Sequence, residues 1–185
     1  FRSRISELGL DMEQYLKTFT EVLRSDGFIE RDSFYEISKR WIHSILYTTR
    51  SDEVISLFSD TTEMRNAHEA LFNSEKMLRN IFDNVQVGVE LYDKEGCLVD
   101  INTKNLDIFG IAAKEDVLGI NFFENPIVPE EIRRNVRNGQ EQSFRLDYPF
   151  DRLGGYYPSR KKGSVQIYTK VTMLYDMYGE LVNFL

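Results

Sequence analysis

The sequence predicts an α+β protein made of two related blocks, in which helices are followed by antiparallel strands. Near the start of the chain, an amphipathic helix, a glycine stop and three strand-like segments occur in that order, and the same order returns at the end. Between the blocks, the apolar residues follow the period of a long helix. This is a repeat of a domain-sized unit, whose first copy lacks its front half.

The first block, residues 1–60, begins with a helix. Apolar residues at spacings of three and four over residues 11–24 predict an amphipathic helix, and Gly27 ends it. Three strand-like segments rich in β-branched and aromatic residues follow, at 28–37, 41–49 and 53–59. A turn is predicted at 50–52. The last strand would have an open apolar edge, so we expect another strand or element to cover it.

A helical linker is predicted for residues 61–84. Asp60, Thr62 and Glu63 form a helix-start pattern, in which the Asp60 carboxylate accepts a backbone hydrogen bond and Glu63 reaches back. Apolar or small residues then recur at alternating spacings of three and four, at Met64, Ala67, Leu71, Ser74, Leu78, Ile81 and Val85. This spacing is typical of a short two-stranded coiled coil. We therefore expect a homodimer in which the linker relays a signal, with Asp60 holding its first turn.

The second block, residues 85–185, has the elements of a complete domain. Val87, Val89 and Leu91 alternate with less apolar residues and predict a half-buried strand, and a second strand follows a turn. Short helices are predicted at 103–109 and 113–118, and Pro129 starts a third. Three more strands are predicted at 142–150, 164–175 and 179–185, with a long polar loop at 151–163.

The segments DNVQVGVELYDKEGCLVDIN, NLDIFG and KEDVLG resemble the start of a PAS domain, with a second strand that closes on Asn102. The segment SDTTE at 59–63 resembles the Asp-x-Thr signature that closes PAS domains and begins the output helix. The resemblance implies a tandem arrangement, with the back part of one PAS domain in residues 1–60 and a second, lacking its last residues, in 85–185. It also implies a five-stranded antiparallel sheet with helices on one face.

The resemblance further implies that sensing uses a cavity between the sheet and the helices. The candidate lining residues are Val89, Leu91, Val99, Ile101, Leu106, Phe109, Phe122, Phe123, Ile127, Val136, Phe144 and Leu146. The same residues are equally explained as a close-packed core that leaves no room for a ligand.

The sequence lacks the residues with which some PAS domains bind haem or flavin. Both histidines, His43 and His68, lie outside the second block, which argues against a His-ligated haem there. Residues 119–121 match the start of the cysteinyl-flavin motif, but Phe122 stands where the cysteine belongs, and Cys97 lies at a hairpin turn. No cofactor is predicted, while a small organic ligand stays open.

Composition and missing motifs exclude several functions. A net charge of −7 argues against nucleic-acid binding. A single cysteine allows no internal disulfide or cysteine-rich zinc site, and no apolar run is long enough for membrane insertion. No nucleophile–base pair, metal-ligand spacing or phosphate-binding loop occurs. We therefore expect neither catalytic residues nor a metal site.

The leading functional hypothesis is a cytoplasmic sensory region of a multidomain signalling protein, of the bacterial sensor histidine kinase type. Any kinase activity would belong to a downstream output domain outside this sequence. The alternative is a ligand-free PAS module that pairs partners in a transcription regulator or a cyclic-nucleotide enzyme. A cavity with polar side chains favours sensing, whereas a closed core with an exposed apolar sheet face favours the interaction module.

Overall fold

The computed structural model describes residues 12–24, 27–36, 38–49, 53–152 and 155–185. The chain divides into two compact units, Phe1–Lys76 and Met77–Leu185. The boundary between them falls within one long helix. The turn predicted at 50–52 lies outside the described residues.

The first unit contains a helix and a three-stranded antiparallel sheet. The elements are α1 (Met12–Arg24), β1 (Phe28–Tyr35), β2 (Arg40–Thr48) and β3 (Val54–Asp60), and the strand order is β1-β2-β3. Phe19 of α1 and Phe58 of β3 pack against buried Tyr35 and Ile42. The helix therefore covers one face of the sheet, and each described element lies within two residues of its predicted bounds.

Among the strands of the described part of the chain, β3 forms its ladder with β2. Ile55 and Leu57 are exposed on this strand. The expectation that another strand or element covers the other edge of β3 stays a prediction.

Helix α2 (Thr62–Asn84) has 23 residues and buries none of them. At 1.5 Å per residue it is about 35 Å long. Met64, Leu71, Leu78 and Ile81 of the predicted seam are each more than half exposed, at 67, 59, 65 and 55%. An apolar stripe of this length is therefore available for contact with a partner.

The second unit contains the predicted five-stranded antiparallel sheet. Its strands are β4 (Glu90–Asp93), β5 (Leu98–Ile101), β6 (Gln142–Pro149), β7 (Ser164–Val171), β8 (Met173–Tyr175) and β9 (Leu181–Phe184). The hydrogen-bonded orders are β5-β4-β9-β8 and β6-β7. Thr172 separates β7 from β8 and exchanges backbone hydrogen bonds of 3.0 and 2.9 Å with Leu185. Strands β7 and β8 therefore form one path that joins the two groups.

Short helical segments accompany this sheet. They are α3 (Thr103–Phe109), α4 (Glu130–Arg137) and the 3₁₀ turns Lys114–Asp116, Phe122–Glu124 and Phe150–Arg152. Gly110 ends α3 with a φ of 67°, a left-handed conformation that glycine adopts without strain. Side chains from the helical segments and the strands form one buried core, which includes Ile101, Val117, Phe122, Val136, Tyr148 and Phe184.

The structure corrects the predicted facing of the first two strands. Tyr92 faces the core of the unit, whereas Val87 precedes the strand and is 60% exposed. Because side chains alternate along a strand, a shift of one residue exchanges the two faces. A register shift between Leu91 and Tyr92 then allows Leu98 to be buried while Val99 is exposed. The alternating pattern of Val87, Val89 and Leu91 therefore predicted the wrong face of the strand as the buried one.

Candidate functional site

A cavity of about 60 Å³ lies in the second unit between the sheet and the helical segments. Since one water needs roughly 15 Å³ by the same kind of measure, the cavity has room for about four water-sized groups. Strands β4 to β7 form one wall, and α3 with the connecting loops forms the other. The lining residues are Glu90, Tyr92, Leu98, Ile101, Phe109, Ile111, Val117, Ile120, Phe122, Asn125, Val128, Phe144, Leu146, Tyr148, Tyr156, Tyr157, Ile167 and Thr169.

Aromatic rings make up much of the cavity wall. The rings of Tyr92 and Phe122 meet edge to face with centroids 5.5 Å apart. Those of Phe109 and Tyr148 meet in the same way at 5.0 Å. Rings that support one another in this geometry have little freedom to turn, so they fix the shape of the cavity.

Glu90 is the one lining residue with a formal charge among those that the structure describes. It is half-buried at the start of β4, and the Tyr92 hydroxyl donates a 2.6 Å hydrogen bond to its Oε2. Burial raises the pKa of Glu90, although hydrogen bonds from Tyr92 and the Asn105 side chain partly oppose that shift. The carboxyl is therefore a polar group with two neutral partners and no cationic side chain on the described wall.

The cavity tyrosines are neutral at physiological pH. Burial raises the pKa of Tyr148 to about 12 and also raises the pKa values of Tyr156 and Tyr157. The Tyr156 hydroxyl donates a 2.7 Å hydrogen bond to the Asn121 carbonyl. The buried Tyr157 hydroxyl makes no hydrogen bond of ordinary geometry to a described residue, although it lies close enough to the Tyr148 hydroxyl for the two to affect each other's pKa. Tyr157 is therefore a polar group available to a ligand.

The loop at 151–163 brings Tyr156 and Tyr157 to the cavity. The sequence predicted only a polar loop here, but Ser159 Oγ donates a 2.6 Å hydrogen bond to the Phe109 carbonyl. The Arg160 backbone N–H donates a 2.9 Å hydrogen bond to the Gly110 carbonyl. These bonds hold the loop against the end of α3, so the loop is part of the cavity wall. Two adjacent aromatics in an otherwise polar loop were the signal that sequence analysis passed over.

Asn102 connects the cavity region to the last turns of α2. It is fully buried, and its Oδ1 accepts 2.9 Å hydrogen bonds from the backbone N–H groups of Val89 and Asn105. Its Nδ2 donates 2.9 Å hydrogen bonds to the carbonyls of Phe82 and Val87. These four bonds use the full capacity of the amide. Because the Asn105 side chain lies close enough to Glu90 to lower the pKa of that carboxyl, a short path of polar contacts leads from the cavity to α2.

Comparison with known proteins identifies the family. The family model for the PAS fold matches residues 76–185, more than half of the chain. The chain belongs to the PAS fold family. Proteins of this family are sensory and signalling modules.

Solved structures similar to this PAS protein come from several sources. The PAS domain of an HTR-like protein from Haloarcula marismortui is 15% identical with a TM-score of 0.49, over 65% of this chain and 94% of that chain. The PAS domain of BvgS from Bordetella pertussis is 20% identical with a TM-score of 0.40, over 60% and 82%. The DhaR(N)–DhaL complex of E. coli gives 11% identity and a TM-score of 0.46, over 87% and 60%. No curated protein matches the chain.

The predicted pocket residues of the PAS domain fall into three groups. Ile101, Phe109, Phe122, Phe144 and Leu146 line the cavity. Four others pack in the surrounding core without lining the cavity, namely Leu106, Phe123, Ile127 and Val136. The remaining three, Val89, Leu91 and Val99, belong to neither group. The polar lining residues were not predicted, because the candidates were apolar positions and those on β4 lie on its other face.

An ion pair makes a second connection between α2 and the PAS domain. Arg79 Nη1 lies 2.6 Å from Asp100 Oδ2, and Lys114 Nζ lies 3.6 Å from Asp100 Oδ1. Burial by itself would raise the pKa of Asp100, but the hydrogen bond from Arg79 and the nearby charges hold it below its usual range. The end of α2 is therefore held by both a neutral amide and a charged pair.

The start of α2 is attached to the sheet of the first unit. Asp60 Oδ1 accepts a 3.0 Å hydrogen bond from the Thr62 backbone N–H, and its Oδ2 lies 3.0 Å from Arg40 Nη1. Hydrogen bonds from Thr62 lower the pKa of Asp60. Thr62 Oγ1 also accepts a 2.8 Å hydrogen bond from the Trp41 backbone N–H. Glu63 lies in the first turn, but among the described residues no hydrogen bond returns to it from the Asp60 backbone.

Arg65 adds a contact that sequence analysis did not find. Its guanidinium lies 4.5 Å from the centroid of the Trp41 ring and forms an ion pair with Asp32. Asp32 also lies 2.8 Å from His43 Nδ1. These contacts hold the first turns of α2 against β1 and β2.

The described residues contain no group of three or more His, Cys, Asp or Glu side chains that could hold a metal ion.

Cys97 is partly buried, and its backbone pairs with Asn121. No helix in the described part of the chain combines the length and apolar character that crossing a membrane requires.

Proposed function

We propose that this PAS domain senses a small organic ligand in its cavity and relays occupancy to helix α2. One observation supports the proposal above the others. The cavity carboxyl of Glu90 shares Asn105 with Asn102, and Asn102 holds the Phe82 carbonyl in the last turns of α2. Only two buried side chains, those of Asn105 and Asn102, therefore lie between the cavity carboxyl and the last turns of α2.

The relay follows from how Glu90 divides its hydrogen bonds. A ligand that bonds to the carboxyl draws charge from its oxygens and so weakens the contacts that Tyr92 and Asn105 make with them. A change at Asn105 reaches Asn102, whose backbone and side-chain bonds fix the start of α3 and the end of α2. These bonds have one arrangement with the ligand bound and another without it. The ligand shifts the equilibrium between the two arrangements only as far as the difference between its affinities for them allows.

The wider setting that we propose is a cytoplasmic signalling protein of the sensor histidine kinase type. In it the chain forms a homodimer through the α2 seam and PAS surfaces, and the PAS domain acts on a downstream output domain. The exposed apolar stripe of Met64, Leu71, Leu78 and Ile81 supports the dimer, because burying it removes apolar surface from water.

A ligand-free interaction module is the second candidate. Four apolar or aromatic side chains on the strands of the second unit are exposed, at Val99, Tyr168, Tyr175 and Val182. Exposed apolar side chains on a sheet suit contact with a partner protein. In that case the cavity would be an incidental void in the core.

Native mass spectrometry of the purified protein, beside the same sample denatured, distinguishes the two candidates. We expect extra mass in the native spectrum of the wild type. Thr169→Leu fills the cavity from β7 and should lose that mass, whereas Gln166→Leu, at an exposed position of the same strand, should keep it. A wild type without extra mass, or a Thr169→Leu variant that retains it, contradicts sensing in this cavity and favours the interaction module.

A further inference from the structure

We propose that the ligand is a small organic cation, such as a short alkylammonium ion, held by the Glu90 carboxylate within the aromatic wall of the cavity. This inference rests on the proposed function, because it names the chemical class of the ligand that the same cavity would sense.

The charge of the cavity favours a cation over other ligands. Glu90 is the one formally charged residue on the described wall, and no Lys, Arg or His lines the cavity with it. A buried carboxylate without a cationic partner is unfavourable, and a ligand ammonium supplies that partner. An anionic ligand would meet like charge, and beside a neutral ligand the carboxyl avoids an uncompensated charge only by taking up a proton.

The carboxyl retains hydrogen-bonding capacity for such a ligand. An ionised carboxylate accepts about four hydrogen bonds. Glu90 accepts one from the Tyr92 hydroxyl, and the Asn105 side chain lies close enough to lower the pKa of the carboxyl. The remaining acceptor sites suit the N–H groups of an ammonium ion. The Tyr157 hydroxyl, which has no ordinary hydrogen bond to a described residue, is a further polar group that lines the cavity.

The aromatic walls suit the rest of a cationic ligand. Seven of the lining residues carry aromatic rings, namely Tyr92, Phe109, Phe122, Phe144, Tyr148, Tyr156 and Tyr157. The faces of such rings attract cations, most strongly where water is excluded. The cavity of about 60 Å³ holds only about four water-sized groups, so it selects a short alkyl chain or a compact branched group.

The titrating groups at the cavity imply a pH dependence. Besides Glu90 these are Tyr92 of β4, Tyr148 of β6, and Tyr156 and Tyr157 of the loop, and burial raises the pKa of each tyrosine, so all four stay neutral. Burial also raises the pKa of Glu90, so a proton competes with the ligand at a higher pH than it would at an ordinary glutamate. The affinity for isopropylammonium, which stays protonated well above neutral pH, should therefore increase as pH rises through the Glu90 titration.

Three probes that share an isopropyl group test the charge class: isopropylammonium, isopropanol and isobutyrate. After denaturation and refolding to remove any retained ligand, binding to the whole chain is measured by calorimetry at constant ionic strength. We expect isopropylammonium to bind at least tenfold more tightly than isopropanol, and isobutyrate not to bind. Glu90→Gln should reduce isopropylammonium binding at least tenfold. Glu115→Gln, an exposed position in the same unit, should leave it unchanged.

The outcomes separate this inference from the proposed function. If isopropanol or isobutyrate binds as tightly as isopropylammonium, the cation is excluded while ligand sensing stands. If none of the probes binds, the inference is also overturned, and the retained mass in the native spectrum then decides sensing by itself. The wild-type comparison remains decisive even if Glu90→Gln does not fold.

Discussion

Glu90 lies on the side of β4 that faces the cavity. The sequence pattern assigned the apolar residues of 87–91 to the core, yet the structure turns Glu90 and Tyr92 toward the cavity. Successive side chains of a strand point to opposite faces, so either of two sets of residues can be buried. Hydrophobicity alone predicts burial of the set that contains no carboxylate. A residue that breaks the apolar pattern and still faces inward is typical of functional sites, because folding alone does not favour it.

The titration of Glu90 gives the first prediction. A carboxyl whose pKa is raised by folding binds its proton more tightly in the native state, so stability should fall as pH rises from the ordinary glutamate range through the raised pKa. Glu90→Gln should remove the part of the pH dependence of stability that comes from this titration. Chemical denaturation between pH 4 and about 8 measures the slope.

Glu115→Gln serves as the control in that experiment, because Glu115 is exposed. A Glu90→Gln variant with the same pH slope as wild type and the control would show that the carboxyl is not held in a desolvated site.

Asn102 gives the second prediction at the residue scale. Asn102→Asp keeps the acceptor for Val89 and Asn105 but places an oxygen against the carbonyls of Phe82 and Val87. Leaving buried groups without partners costs about 1–3 kcal/mol each, so we expect a loss of at least about 2 kcal/mol in the free energy of unfolding. Denaturant titration measures it.

The comparison for Asn102 is Asn105→Asp, which keeps the backbone N–H that bonds to Asn102. Hydrogen exchange should accelerate near Phe82 in Asn102→Asp more than in Asn105→Asp. Equal acceleration in both variants would contradict the assignment of Asn102 as the direct connection to α2.

At the scale of elements, helix α2 was predicted within one or two residues of its bounds, because capping and period agree over its whole length. The attachments at its two ends were predicted only in part. Asp60 and Thr62 were visible as a local pattern, whereas Arg65 with Trp41 and Arg79 with Asp100 join residues more than 20 positions apart in the sequence. Such pairs depend on how strands and helix meet in space, which spacing within one element does not encode.

The α2 seam gives the third prediction. Leu71→Glu with Leu78→Glu places like charges at two seam positions, so a dimer formed through this stripe should dissociate to monomers. Asn73→Glu with Asn80→Glu adds the same charge away from the seam and should leave the dimer intact. Sedimentation velocity at matched protein concentrations measures both pairs. A seam variant that stays dimeric would place the interface elsewhere.

At the scale of the whole molecule, the order of elements was enough to predict the PAS fold, and the family match to residues 76–185 agrees with it. The character of the cavity was not predictable in the same way. Ser159 and Phe109, whose hydrogen bond helps to close the wall, are 50 residues apart. The apolar candidates Ile101 and Phe109 were placed at the cavity because any core position is near it, while the loop tyrosines needed the folded arrangement.

The central claim is that the occupied cavity acts on α2 through Asn102. Hydrogen exchange of amides 78–89 tests it most directly, comparing the protein as purified with the same protein after denaturation and refolding, each checked for bound mass. We predict slower exchange in this segment when mass is retained, and no such difference in Asn102→Asp. Identical exchange in the occupied and empty wild type would contradict the relay, even if a ligand is bound.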